Sequence, residues 1–408
     1  MRRRTMLATL GAVGTSGCLR LTAEESNGDA DATATEAESD GETAAATSTA
    51  GTTAADDGGD GSDGASPVTL SERWRTDQQV RYVWVDDGEF ATSGYDGVSL
   101  ASPTDGVVWS TDPGDNGVPS AAPSKAFAAT DDRLLFGFGG GDDDAPDAGA
   151  TFLAYDRASG ERLWRADMPD DGIHARAKGI TVVGDTAVVA SDDIGSDTDQ
   201  EPLVYGVDVE TGERRWETGA PDLTTGFISG VAAHDGTVFV TQTYDGTYLL
   251  DPGTGAVTDY REGMKVSVWG GTPRDGTLFD VSGNEITAYR LDGDGTRWSV
   301  PDAPDARIPP EVDDDLVIVG TQTGYVYAIE ADTGAVRWTS RLDRTVRGLA
   351  ASEDHVWAWA VGSTLAGYDR EDGTVVYESE RNSDLVDLGA IDDTLLVGGG
   401  PGTASRID

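Results

Sequence analysis

Beyond Pro67 the chain is a succession of short apolar runs cut by acidic, often glycine-bearing turns. Asp87-Gly88-Glu89-Phe90, Asp185-Thr186-Ala187-Val188, Asp235-Gly236-Thr237-Val238 and Asp275-Gly276-Thr277-Leu278 each set a turn directly before apolar positions; Asp314-Asp315-Leu316-Val317 and Asp393-Thr394-Leu395-Leu396 do the same. Turn residues flanked by alternating apolar positions are hairpin signals. The pattern leaves no place for helices and predicts an all-β fold.

A second motif follows each hairpin at a fixed offset. It is clearest in Ala154-Tyr155-Asp156-Arg157-Ala158-Ser159-Gly160-Glu161-Arg162-Leu163-Trp164. It returns around Asp208, Gly212 and Trp216, around Tyr289 and Trp298, around Glu330, Gly334 and Trp338, and around Asp369, Gly373 and Tyr377; weaker copies end at Trp109 and Asp259. The closing positions fall 55, 52, 43, 39, 40 and 39 residues apart, the spacing of a four-stranded propeller blade. The Asp-x-x-x-Gly stretch predicts a tight turn, and the Trp predicts a filler for the seam between neighbouring blades. The last copy ends at Ser405-Arg406-Ile407-Asp408 with three strands, whereas Leu70-Ser71-Glu72-Arg73-Trp74 is an orphan final strand at the other end. Joining them gives eight units, an eight-bladed β-propeller closed by its N-terminal strand, without open sheet edges.

The repeat Ala-x-Asp-x-x-x-Gly-x-x-x-Trp resembles the tryptophan-docking repeat of the pyrroloquinoline-quinone (PQQ)-type propellers, over residues 67–408. That family includes quinoprotein alcohol dehydrogenases, the assembly lipoprotein BamB and secreted propellers without known chemistry. The dehydrogenases carry a vicinal cysteine pair under the quinone, a calcium held by Glu and Asn, and an Asp base. The only cysteine here, Cys18, lies outside the repeats; Asn27 lies in the N-terminal segment, and Asn116, Asn284 and Asn382 lie in connections. No catalytic residue carries over. The expectation is therefore a non-enzymatic binding or scaffolding module without a cofactor. The competing reading is a PQQ- and calcium-dependent dehydrogenase with an altered site. A BamB-like assembly role presupposes an outer membrane.

Charge narrows the partners. The 408 residues carry 74 acidic and 29 basic side chains, a formal charge of -45. Such a surface repels nucleic acids and anionic lipid headgroups. The basic residues are almost all Arg, the lysines being Lys125, Lys178 and Lys265. This bias resembles proteins of salt-loving archaea, and weakened stability at low ionic strength is expected, since salt screens self-repulsion.

The N-terminus is an address. Arg2, Arg3 and Arg4 precede an apolar run from Met6 to Val13, too short to span a bilayer. Arg3-Arg4-Thr5-Met6-Leu7 resembles a twin-arginine export motif, and Ser16-Gly17-Cys18 a lipobox, with Thr15 where Leu is usual. Residues 1–20 are thus expected to direct export, with Cys18 lipidated and the protein held at the outer face of the cytoplasmic membrane by that lipid alone. Residues 21–66, lacking basic and aromatic side chains, are expected to be a disordered acidic tether. A monomer is expected.

Local chemistry is sparse. His234 and His355 fall at hairpin turns and His174 near the opposite face, and nothing suggests a triad. The acidic insertions 139–149 and 191–202 belong between second and third strands of adjacent blades, where solvated loops are expected rather than calcium sites. Asp292-Gly293-Asp294-Gly295 begins like a calcium loop, but Ala303 replaces its closing Glu, so a turn is expected. The rare cations align: Lys125, Lys178 and Arg307 share one position near the start of the first strand, Arg81 and Arg347 fall one residue later, and Lys265 lies a few residues earlier. First strands line a propeller's channel, so these six form a candidate ring for a small anion or an anionic part of a protein partner. The alternative is that each pairs with a neighbouring acidic side chain.

Overall fold

Every acidic turn noted above closes a hairpin between the first and second strands of a blade. The computed structural model describes residues 67–111, 122–139, 150–168, 175–193, 202–219, 222–223, 227–243, 245–264, 271–282, 284–293, 295–301, 308–313, 315–342, 344–381 and 385–408. The export signal with Cys18, the tether, most of both insertions, His174, Lys265 and Arg307 lie outside these residues. At Asp87-Gly88, Asp235-Gly236 and Asp275-Gly276 both central residues have positive φ, 46–48° at Asp and 71–75° at Gly. That is the backbone hand that matches the twist of paired strands, which is why Asp-Gly recurs there.

Eight antiparallel four-stranded sheets result. Their innermost strands, blades 1 to 8, are Tyr82–Asp86, Ala122–Ala129, Ala175–Val183, Ile228–His234, Thr272–Arg274, Glu311–Asp313, Val346–Ala351 and Leu388–Ile391. Blade 8 takes its outermost strand, Leu70–Gln79, from the N-terminal side, pairing Leu70 with Ile407 and Trp74 with Ala404. Closure by the N-terminal strand is thus as expected, and the described residues contain no helix.

The core is divided among the seams. Eight buried clusters each join two adjacent blades, for example Ala126, Phe152 and Trp164 against Ile180, Val189 and Tyr205 between blades 2 and 3. The docking tryptophans cross these seams in one manner. The indole N–H of Trp109 donates to the Arg157 carbonyl at 2.8 Å, Trp164 to Val209 at 2.8 Å, Trp216 to Pro252 at 2.7 Å, Trp298 to Ala331 at 2.7 Å and Trp338 to Arg370 at 2.8 Å. Each acceptor directly follows the acid of the next blade's turn. Trp74 closes the ring by donating to Pro103 at 3.1 Å.

Two seams depart from this. Between blades 4 and 5 the exposed Asp259 stands in the Trp register, and Arg261 donates instead to the carbonyls of Arg290 and Leu291 at 3.2 and 3.3 Å. Between blades 7 and 8 Tyr377 takes the position, and the Val68 amide bonds the Val376 carbonyl at 3.0 Å. Two partly buried ion-pair staples reinforce other seams: Arg157 reaches Asp86 and Glu89, and Arg370 reaches Asp313 at 2.5 Å and Asp315 at 2.8 Å.

Candidate functional site

The eight innermost strands enclose a central cavity of about 740 Å³. Side chains from all eight blades reach it, from Val83 and Trp84 of blade 1 to Asp387 and Leu388 at blade 8. Among the described residues its charged lining is Lys125, Lys178, Arg274 and Arg347 against Asp275, Glu311 and Asp387, so cations outnumber carboxylates there in a chain where acids dominate overall.

A backbone irregularity sets Lys125, Lys178 and Arg347 in place. In blades 3, 4 and 7 the innermost strand bulges at one residue, Lys178 between Ala177 and Gly179, Ser229 between Ile228 and Gly230, and Arg347 between Val346 and Gly348. Lys125 lies in a longer irregularity between Pro123 and Phe127 of blade 2. A bulge leaves its residue outside the ladder and re-aims the side chain, here onto the cavity wall. The following glycine makes room. A Cβ at Gly179 would sit 2.9 Å from the Val231 amide of the next blade, and one at Gly348 would overlap the Trp359 ring.

Of the six expected ring members, the structure brings Lys125, Lys178 and Arg347 to one cavity. Arg347 occupies the same bulge as Lys178, not a position one residue later: both stand at the same distance before their two-residue turns, Glu353-Asp354 and Gly184-Asp185. Arg81 is not among the cavity residues; its guanidinium lies over the rings of Tyr82 and Tyr95 at 5.9 and 5.3 Å. Lys265 and Arg307 lie outside the described residues. Lys125 stands over the Tyr82 ring at 5.7 Å and Lys178 over the half-exposed Phe227 at 5.8 Å. Among the described residues neither Lys125 nor Arg347 has a carboxylate oxygen within 4.0 Å.

Sequence reasoning missed the cavity's other half. Glu311, Asp387, Arg274 and His234 all line it. Burial pushes the Glu311 carboxyl up to about 8, aided by the negative charges of Asp387 and Asp313 and opposed by Lys125 and Arg274. Burial also raises Asp387, against Lys125 and the amides of Val83 and Leu388. The Val83 N–H donates to Asp387 at 3.1 Å across the closing seam. The only sequence signal for Glu311 was an acid directly after Pro309-Pro310, which the repeat motif does not cover.

Eight blades closed through the chain ends and sealed by docked tryptophans define an eight-bladed β-propeller of the tryptophan-docking type. The chain belongs to the PQQ-repeat family described as outer membrane protein assembly factor BamB, whose model matches residues 96–217, 200–261 and 282–406. The structure of BamB from Moraxella catarrhalis is similar, with a TM-score of 0.59 at 17% identity, over 83% of this chain and 97% of that one. The quinohemoprotein alcohol dehydrogenase ADHIIG from Pseudomonas putida HK5 gives 0.58 at 12% identity, over 84% of this chain and 76% of that one. The computationally designed Ika8 protein gives 0.61 at 14% identity, over 82% and 99%. At these identities the likeness is one of fold. A search of curated proteins finds no match.

Among the described lining residues the carboxylates are Asp275, Glu311 and Asp387; burial raises the last two against the pull of Lys125, and no amide side chain stands with them. A hard divalent cation requires several ionised or carbonyl oxygens free of competing cations.

Proposed function

We propose that this protein is a binding module of the cell surface rather than an enzyme, held to the outer face of the cytoplasmic membrane by a lipid on Cys18. Its channel mouth is the recognition site, and it takes a small anion or an anionic segment of a protein partner. One observation carries the reading: Lys125, Lys178 and Arg347, drawn from blades 2, 3 and 7, converge on one cavity in a protein of formal charge -45. Cations gathered inside an acidic shell focus field on an anion, and charge-assisted hydrogen bonds in a partly enclosed site are worth roughly 1.5 to 3 kcal/mol each. The assembly role in the name of the matched family supports a protein partner.

The test is calorimetric titration with succinate and with sulfate at constant high salt. Lys125→Gln combined with Lys178→Gln should weaken binding at least about 100-fold, two such bonds being lost. Arg165→Gln, on the outermost strand of blade 2, should leave affinity unchanged. Equal affinity in wild type and the double variant would remove the site. The anchor is tested separately by fractionation: Cys18→Ser should move the protein from membrane to medium, and retention on the membrane would refute lipidation.

A further inference from the structure

Groups of opposite charge share the channel: the bulge cations, and Glu311 and Asp387 from blades 6 and 8. The two carboxyls are not equivalent. Asp387 is nine-tenths buried and accepts the Val83 amide, so its charge has a partner. Glu311 opens the strand Glu311–Asp313, and its backbone is fixed from blade 5, where the Thr272 hydroxyl donates to the Pro310 carbonyl at 2.7 Å and Arg274 to the Val312 carbonyl at 3.2 Å. Among the described residues, however, the Glu311 carboxyl makes no hydrogen bond. It is a partly buried carboxyl on the cavity wall, with Asp387 two blades away on the same cavity and no hydrogen-bond donor among the described residues.

We propose that the channel binds a small oxyanion together with a proton, the anion held by Lys125, Lys178 and Arg347 and the proton by Glu311. The proposal rests on the anion site described above and adds the coupling. An oxyanion held by these cations shares the cavity with Glu311 and Asp387. If both were ionised it would be repelled. A proton taken from solvent onto Glu311 removes one of those charges and turns the side chain into an O–H donor to the incoming anion. The surroundings already favour that state. Burial and the acids Asp387 and Asp313 raise Glu311, while Lys125 and Arg274 pull it down without prevailing. His234 and Asp275 close the first-to-second-strand end of the cavity, at turns of blades 4 and 5. By linkage, a site that requires protonated Glu311 binds with constant affinity below the group's titration and loses about tenfold per pH unit above it.

The experiment is titration of wild type and Glu311→Gln with succinate, and separately with sulfate, from pH 6.5 to 9.5 in pairs of buffers that differ in ionisation enthalpy. Neither probe titrates appreciably over that range. The expected result for wild type is flat affinity up to about pH 8, a fall approaching tenfold per unit beyond it, and uptake of close to one proton per anion near pH 9. Glu311→Gln, which keeps a neutral donor, should bind with little pH dependence and no uptake. Whichever probe shows this behaviour identifies the oxyanion class as carboxylate or tetrahedral. Binding of either anion with flat affinity and no uptake in wild type would overturn the coupling and leave the anion site standing. No binding of either at any pH would overturn both. Infrared spectra give a readout without ligand: a protonated-carboxyl C=O band at pH 7 should vanish in Glu311→Gln, and its absence from wild type would overturn the proton assignment even if anions bind. Should Glu311→Gln fail to fold, the wild-type profile alone decides.

Discussion

At the scale of single residues, the repeat motif is a hydrogen-bonding device before it is a packing one. The turn acid accepts from the backbone ahead of it: Asp208 takes the Thr211 and Glu210 amides at 2.8 and 3.0 Å, and those bonds with Arg215 hold its carboxyl down at about 2. The turn presents the next carbonyl to the preceding blade's indole, and the glycine four positions after the acid lies flat against that ring. Gly373, at φ +74°, shows why no other residue serves, since a Cβ there would sit 2.6 Å from the Trp338 ring. Gly236 has nearly the same φ, +75°, with nothing within 4 Å. Ala at Gly236 should cost only the left-handed backbone penalty, about 1 to 2 kcal/mol. Ala at Gly373 should cost roughly 1 to 3 kcal/mol more, because the ring must shift within a packed seam. Chemical denaturation of the two variants measures the difference; equal losses would mean that the ring contact is slack.

At the scale of strands and seams, what could be read in the sequence was what repeats. Turn acids, glycines and tryptophans recur at one spacing, so hairpins, blade count and seam residues were all visible, including the orphan strand ending at Trp74. Features that break the repeat were not. Asp259 was recognisable as a degenerate copy, but not that Arg261, two residues on and therefore on the same face of its strand, supplies the missing donor across the seam. Arg347 and Lys178 occupy the same irregularity at the same distance from their turns; an alignment on turn acids set them apart because the blade 7 turn holds two, Glu353-Asp354, where blade 3 has Gly184-Asp185. Glu311 was hidden for a related reason: its strand is only three residues long and follows a proline pair, so neither apolar alternation nor the motif points to it. The cavity's cations were thus partly legible as rare residue types, whereas its carboxylates were lost among 74 acids.

At the scale of the whole molecule, every blade is held by two neighbours, so the ring is as secure as the one seam that the chain does not close by running through it. That seam lies within and beside blade 8. The strand Leu70–Gln79 pairs with Pro401–Ile407, Arg73 reaches Asp393 at 2.6 Å and Thr394 at 2.7 Å, and Trp74 packs under Gly106 and bonds Pro103 of blade 1. Deleting residues 67–75 removes both side-chain links and most of this pairing at once and exposes most of the edge of Pro401–Ile407 to other chains. Loss of a fully buried tryptophan costs about 3 to 5 kcal/mol; Trp74 is partly buried and contributes less, but here the ladder is lost with it. The deletion should therefore lower the thermal midpoint of the entire propeller and promote association of exposed edges. Deleting residues 24–60, which lie outside the repeats, should leave the midpoint nearly unchanged. The two truncations, melted side by side at the same salt, separate the alternatives: equal midpoints would mean that the ring does not depend on its N-terminal strand, and that the termini are paired without being the closure on which the other seams rely.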